Sequence, residues 1–179
     1  MGHFYFVRHG QTIWNAENKI CGRTDIALND TGRAQAAETG NKILQEGIHA
    51  DEILYSPLQR AAETARIISE ITGIPRREEK RLIEQHFGKW EGTPRNGADF
   101  LKAKECFAIS NEGGESMLRL AQRIYNLLDE IKEESDRKTY ILVAHNGIVR
   151  MVHSYFEDMT NPEYAVFGVK NCALVRYDF

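Results

Sequence analysis

Residues 4 to 10 read Phe4-Tyr5-Phe6-Val7-Arg8-His9-Gly10, and this stretch decides the fold. Four consecutive apolar, β-favouring residues predict a short buried strand, and the run breaks at once into a guanidinium, an imidazole and a glycine. Polar groups at the carboxyl end of a buried strand stand where open α/β sheets place their ligands. Gly10 permits the sharp turn that exposes the histidine. An imidazole beside a guanidinium is electrically awkward unless an anion joins them. Phosphate meets that need, because a guanidinium fork matches its oxygens and a neutral imidazole nitrogen is able to attack phosphorus.

Working outward, the same punctuation recurs. Residues 52–55, Glu52-Ile53-Leu54-Tyr55, predict a second short strand, ended by Ser56-Pro57. Pro57 suits a helix start, and Leu58, Ala61, Ala62, Ala65, Ile68 and Ile71 follow at helical spacing, with Arg60 in the first turn. Residues 139–144 are the clearest buried strand and end in His145-Asn146-Gly147, after which Ile148, Val149, Val152 and Phe156 continue as a helix. Between these junctions the pattern predicts a helix over 31–47, a short one over 98–109, and an amphipathic one from Met117 to about Lys132. Residues 76–97 are polar and irregular, with a short extended segment at 81–84. The tail, 165–169 and 173–179, alternates like two strands joined by Lys170-Asn171. Strands alternating with helices predict a single domain over 1–179, a three-layer α/β/α sandwich with a mostly parallel central sheet and a C-terminal antiparallel hairpin. Arg8, His9, Arg60 and His145 then share one rim of that sheet.

Composition narrows the function. With 179 residues and 42% hydrophobic content the chain is long enough for one sizeable core. A net charge of -3 supplies no global basic field for nucleic acid, so an anion site must be local. Apolar runs are far too short to span a membrane, and no basic-then-hydrophobic leader opens the chain. Cys21, Cys106 and Cys172 lack zinc or redox spacing and read as reduced thiols, which fits the cytoplasm.

Convergence of four rim side chains is the sequence's main functional statement. Two arginines neutralise a phosphate dianion and hold its oxygens for in-line attack. In isolation Arg60 reads as a solvated surface arginine and His145 as a structural histidine or a metal ligand. Against metal, the rim is rich in arginine and short of carboxylates, whereas a zinc site needs three or four protein ligands.

Four motifs in order change the balance: Arg8-His9-Gly10, residues 56–60, residues 84–92 and His145-Asn146-Gly147. Together they resemble the histidine phosphatase superfamily, which includes the phosphoglycerate mutases, over nearly the whole chain. That resemblance implies His9 as the nucleophile, Arg8, Arg60 and His145 as phosphate ligands, and Glu84 as the acid that protonates the leaving oxygen and then activates water. Glu91 is the rival acid. Asn15, Arg23 and Asn146 are expected to complete the phosphate and substrate contacts, although Asn146 stands where the family often has a small residue. No metal or organic cofactor is implied.

The short segment between Gly92 and Gly114, and a chain that stops after its last predicted strand, favour an open site, hence a phosphatase over a mutase. Compact relatives include α-ribazole phosphatase and broad-specificity phosphatases. A catalytically silent phospho-ligand binder is the third reading, and an intact Glu84 argues against it. The expected partner is a small phosphomonoester, with selectivity in the loop around Arg23 and in residues 89–104. A homodimer is the candidate assembly, with no motif to specify it.

Overall fold

The apolar run does form a strand. In the computed structural model, which describes residues 2–110 and 113–179, the order is β1 (His3–Arg8), α1 (Ile13–Ala16), α2 (Asp30–Gln45), β2 (Glu52–Tyr55), α3 (Gln59–Thr72), β3 (Arg76–Glu78), α4 (Ala98–Lys104), α5 (Met117–Glu134), β4 (Tyr140–Ala144), α6 (Asn146–Phe156), α7 (Asn161–Val166) and β5 (Leu174–Asp178). The five strands form one sheet in the order β3-β2-β4-β1-β5. All pairings are parallel except β1 with β5.

Alternation along the strands builds two cores. Phe4 and Phe6 of β1, Leu54 of β2 and Leu142 of β4 pack with Leu120, Ile124 and Leu128 of α5 and Val149 of α6. Val7, Ile53, Ile141 and Val143 point to the opposite face, against Ile43 of α2 and Ala61, Ala65 and Ile68 of α3. Helices therefore cover both faces, as a largely parallel sheet requires. Every residue of β4 is buried, and each aliphatic side chain sealed this way contributes roughly 1.5–3 kcal/mol. No described helix is long and apolar enough to cross a membrane.

Two expectations are corrected. The C-terminal hairpin is absent: residues 161–166 are helix α7, and only β5 enters the sheet, antiparallel to β1. The reason is a capping box in which Thr160 accepts from the Glu163 N–H and the Glu163 side chain accepts from the Thr160 N–H, with a proline in the first turn. Those local bonds outweigh the period-2 pattern that follows. The third strand also lies earlier than the expected segment at 81–84. It is Arg76–Glu78, with all three residues exposed, while Lys80–Leu82 forms a 3-10 turn.

Candidate active site

Strand register sets the site. Arg8 pairs with Ala144 and Tyr55 with Val143, so the residues just beyond each strand emerge side by side. The His9 N–H donates to the Ala144 carbonyl (2.8 Å) and the Ser56 N–H to the Val143 carbonyl (3.0 Å), carrying the ladder one step past the strands. His9 and His145 consequently face each other with ring centroids 5.1 Å apart. Gly10 is required by close approach: a Cβ there would lie 2.3 Å from the Gly32 carbonyl oxygen.

Hydrogen bonds assign the His9 tautomer. Nδ1 lies 2.7 Å from the Gly10 carbonyl oxygen, which only accepts, so Nδ1 carries the hydrogen and Nε2 keeps a free lone pair. Burial holds the His9 imidazole well below the ordinary value of 6.5, reinforced by Arg60 and then Arg8. His145 is shifted the same way, by burial first and then by Arg60 and His9. Both rings are neutral at pH 7.

Arg60 is fully buried although it sits in the first turn of α3. It donates from Nη1 to the Thr24 carbonyl (2.9 Å) and from Nη2 to the Gly22 carbonyl (2.6 Å). Glu91 fixes that segment, accepting from the N–H groups of Arg23 (3.0 Å) and Thr24 (2.9 Å) and from the Thr24 hydroxyl (2.5 Å). It also accepts from the Phe87 N–H (3.1 Å). Glu91 is thus spent on holding the loop that aims Arg60. Arg8 donates to the Val169 carbonyl (2.6 Å). Burial, then Arg95, lowers Arg8 to about 10, which leaves it cationic at pH 7.

Three buried polar atoms of the rim have no partner: Nε of Arg8, Nε of Arg60 and Nδ1 of His145. Orphaned buried donors are costly, and a phosphoryl group with three non-bridging oxygens would satisfy them. Glu84 lines the same cavity, which measures about 160 Å³. Its Oε1 accepts from the Gln85 N–H (2.8 Å) and its Oε2 from the Gly147 N–H (3.1 Å). These bonds fix the carboxyl and leave each oxygen a further position for a proton or water. A Cβ on Gly147 would stand 2.4 Å from Glu84 Oε1, so a side chain there would displace the carboxyl.

Not every expected contact is in the cavity. Arg23 is turned away, donating from Nε to the Glu84 carbonyl (3.1 Å) and from Nη2 to Glu115 (3.2 Å). It braces the segment that carries Glu84 and is absent from the cavity lining. Asn15 lines only the adjoining trough; its Oδ1 accepts from the Thr12 N–H (3.1 Å) and from Asn171 (3.3 Å). Asn146 lines both spaces, its Oδ1 accepting from the Val169 N–H (3.0 Å). Arg95, Lys104 and Arg150 all line the cavity; the first two lie in the 89–104 segment expected to set selectivity but were not singled out, and sequence reasoning missed Arg150. A signal existed for Arg150, a cation inside the apolar stretch 148–152. Among the described residues, no group of three His, Cys, Asp or Glu side chains is placed to hold a metal ion.

Comparison with known proteins gives the family. Residues 4–179 match the histidine phosphatase superfamily (branch 1). The chain belongs to that superfamily. It is 31% identical over 175 residues to the uncharacterized phosphatase PhoE of Bacillus subtilis (strain 168), covering 97% of this chain and 86% of the relative. Identity is 33% over 156 residues with phosphoglycerate mutase-like protein 4 of Arabidopsis thaliana, covering 82% and 67%. The solved structure of a mycobacterial glucosyl-3-phosphoglycerate phosphatase superposes with a TM-score of 0.83 at 26% identity, covering 98% of this chain and 89% of that one. This histidine phosphatase superfamily chain therefore has both phosphatases and mutase-like proteins among its relatives.

Proposed function

We propose that this enzyme hydrolyses small phosphomonoesters through a phosphohistidine formed on His9, within one domain spanning residues 1–179. The observation that carries the reading is the His9 tautomer, with Nδ1 committed to Gly10 and a neutral ring presenting Nε2. In the first step Nε2 attacks phosphorus, the ester P–O bond breaks, and protonated Glu84 gives its proton to the departing alkoxide. In the second, the Glu84 carboxylate takes a proton from water, the oxygen attacks phosphorus, and the P–N bond breaks to release inorganic phosphate. Arg8, Arg60 and His145 hold the non-bridging oxygens throughout. Arg23, Asn15 and Glu91 support the loops around these groups and take no part in proton transfer. A cytoplasmic setting, where thiols stay reduced, fits the three free cysteines.

The test is a phosphomonoester panel assayed in EDTA beside a phosphoglycerate mutase assay. Release of inorganic phosphate, inhibited by vanadate, supports the phosphatase reading. Phosphoryl transfer between phosphoglycerates without release would replace it with the mutase reading.

A further inference from the structure

Five basic side chains line the cavity, Arg8, Arg60, Arg95, Lys104 and Arg150, against one carboxylate, Glu84. Two of the five suffice for a phosphoryl dianion. The other three come from different parts of the fold. Lys104 ends α4, Arg150 lies inside α6, and Arg95 sits in the loop before α4.

None of the three has an acidic partner among the described residues. Lys104, buried beside the Phe100 ring (5.2 Å), donates to the Ala165 carbonyl. Arg150 is also buried; its Nε donates to the Phe167 carbonyl (3.1 Å) and its guanidinium stands 5.5 Å from the Tyr164 ring centroid. Arg95 donates from Nε to the Lys19 carbonyl (2.9 Å). Those bonds use one nitrogen of each arginine and one donor of the lysine. Their other donors make no hydrogen bond to the described residues, and all three side chains line the cavity. Burial pushes the Lys104 ammonium down to about 8, and repulsion from Arg150 and then Arg95 adds to it. Buried cations that repel one another are unfavourable unless an anion joins them.

We infer that Arg95, Lys104 and Arg150 form a second anion subsite, so the substrates are phosphomonoesters whose leaving group carries its own anionic group, a carboxylate or a second phosphate. This deepens the phosphomonoester reading and rests on it. The competing explanation is structural. Lys104 and Arg150 both bond carbonyls at the end of α7, where cations favour the helix terminus whatever the ligand.

Affinity separates the two. The His9→Ala variant, which holds substrate without consuming it, would be titrated calorimetrically with ethyl phosphate, 2-phosphoglycolate, 3-phosphonooxypropanoate and propane-1,3-diyl bisphosphate. At least one doubly anionic ligand is expected to bind about fivefold or more tightly than ethyl phosphate, with Lys104→Met or Arg95→Gln lowering that preference about threefold or more. Any smaller preference, or one that both substitutions leave intact while the melting temperature falls, overturns the subsite and leaves the cations as caps of α7. A preference in a protein whose wild type forms no phosphohistidine would remove the phosphatase reading and keep the subsite. Turnover of ethyl phosphate without a preference would do the reverse.

Discussion

The Ser56 hydroxyl oxygen lies 2.6 Å from Nε2 of His145, while Nδ1 of the same ring is buried without a partner. Ser56 Oγ accepts only a long contact from the Leu58 N–H (3.4 Å), so its own hydrogen is available to Nε2. With Nε2 accepting, the ring hydrogen would sit on Nδ1, free to donate to a phosphoryl oxygen in the proposed mechanism. In that mechanism Ser56 is a positioning residue acting through His145. Ser56→Ala is expected to slow phosphoenzyme formation roughly 10- to 100-fold, less than the ~10²–10³ typical of losing a transition-state donor outright. Nitrogen NMR of His145 should report mixed tautomers in the variant. An unchanged tautomer with unchanged rate would refute the assignment.

Glu84 and Glu91 separate by leaving group. Glu84→Gln should cut phosphoenzyme formation from alkyl phosphates by ~10²- to 10⁴-fold and much less from p-nitrophenyl phosphate, whose phenolate leaves unaided. Single-turnover quench isolates that step from hydrolysis. Glu91→Gln weakens the loop that holds Arg60, so it should lower the melting temperature and slow both substrates alike. Reversed behaviour of the two variants would make Glu91 the acid.

Acid stability follows from the two neutral histidines. Their folded pKa values lie below the ordinary 6.5, so below about pH 6.5 the unfolded chain binds protons that the folded chain refuses. Stability therefore falls as pH drops, by up to ~2.7 kcal/mol per pH unit if both rings stay neutral. Urea midpoints at pH 7 and pH 5.5 measure it, and this window lies above the range where Glu79 and Glu115, whose folded pKa values are lowered, lose their contributions. His9→Gln should remove about one proton from the slope. A flat profile would contradict the burial argument.

The parallel sheet and the rim were legible because β1, β2 and β4 are apolar runs that stop abruptly at polar residues, and parallel strands put those stops together. Loop direction was not. Arg23 lies 61 residues before Glu84 and bonds its carbonyl, and nothing near Arg23 marks that contact. β3 escaped because three exposed residues at a sheet edge carry no apolar alternation. The misread tail had a signal: Thr160-Asn161-Pro162-Glu163 is a helix start, and the alternation after it was given more weight. Residues 89–104 were expected to set selectivity, but Lys104 and Arg95 could not be singled out within them, because burial of a long cation is decided by the packing of distant segments.

The most direct test of the mechanism is rapid-quench labelling with a ³²P-phosphomonoester in EDTA. The wild type should yield an acid-labile, base-stable phosphoprotein whose label maps to His9 and disappears in His9→Ala, with the variant's far-UV spectrum unchanged. Turnover without a trappable phosphohistidine, or label that persists in His9→Ala, would contradict nucleophilic attack by His9.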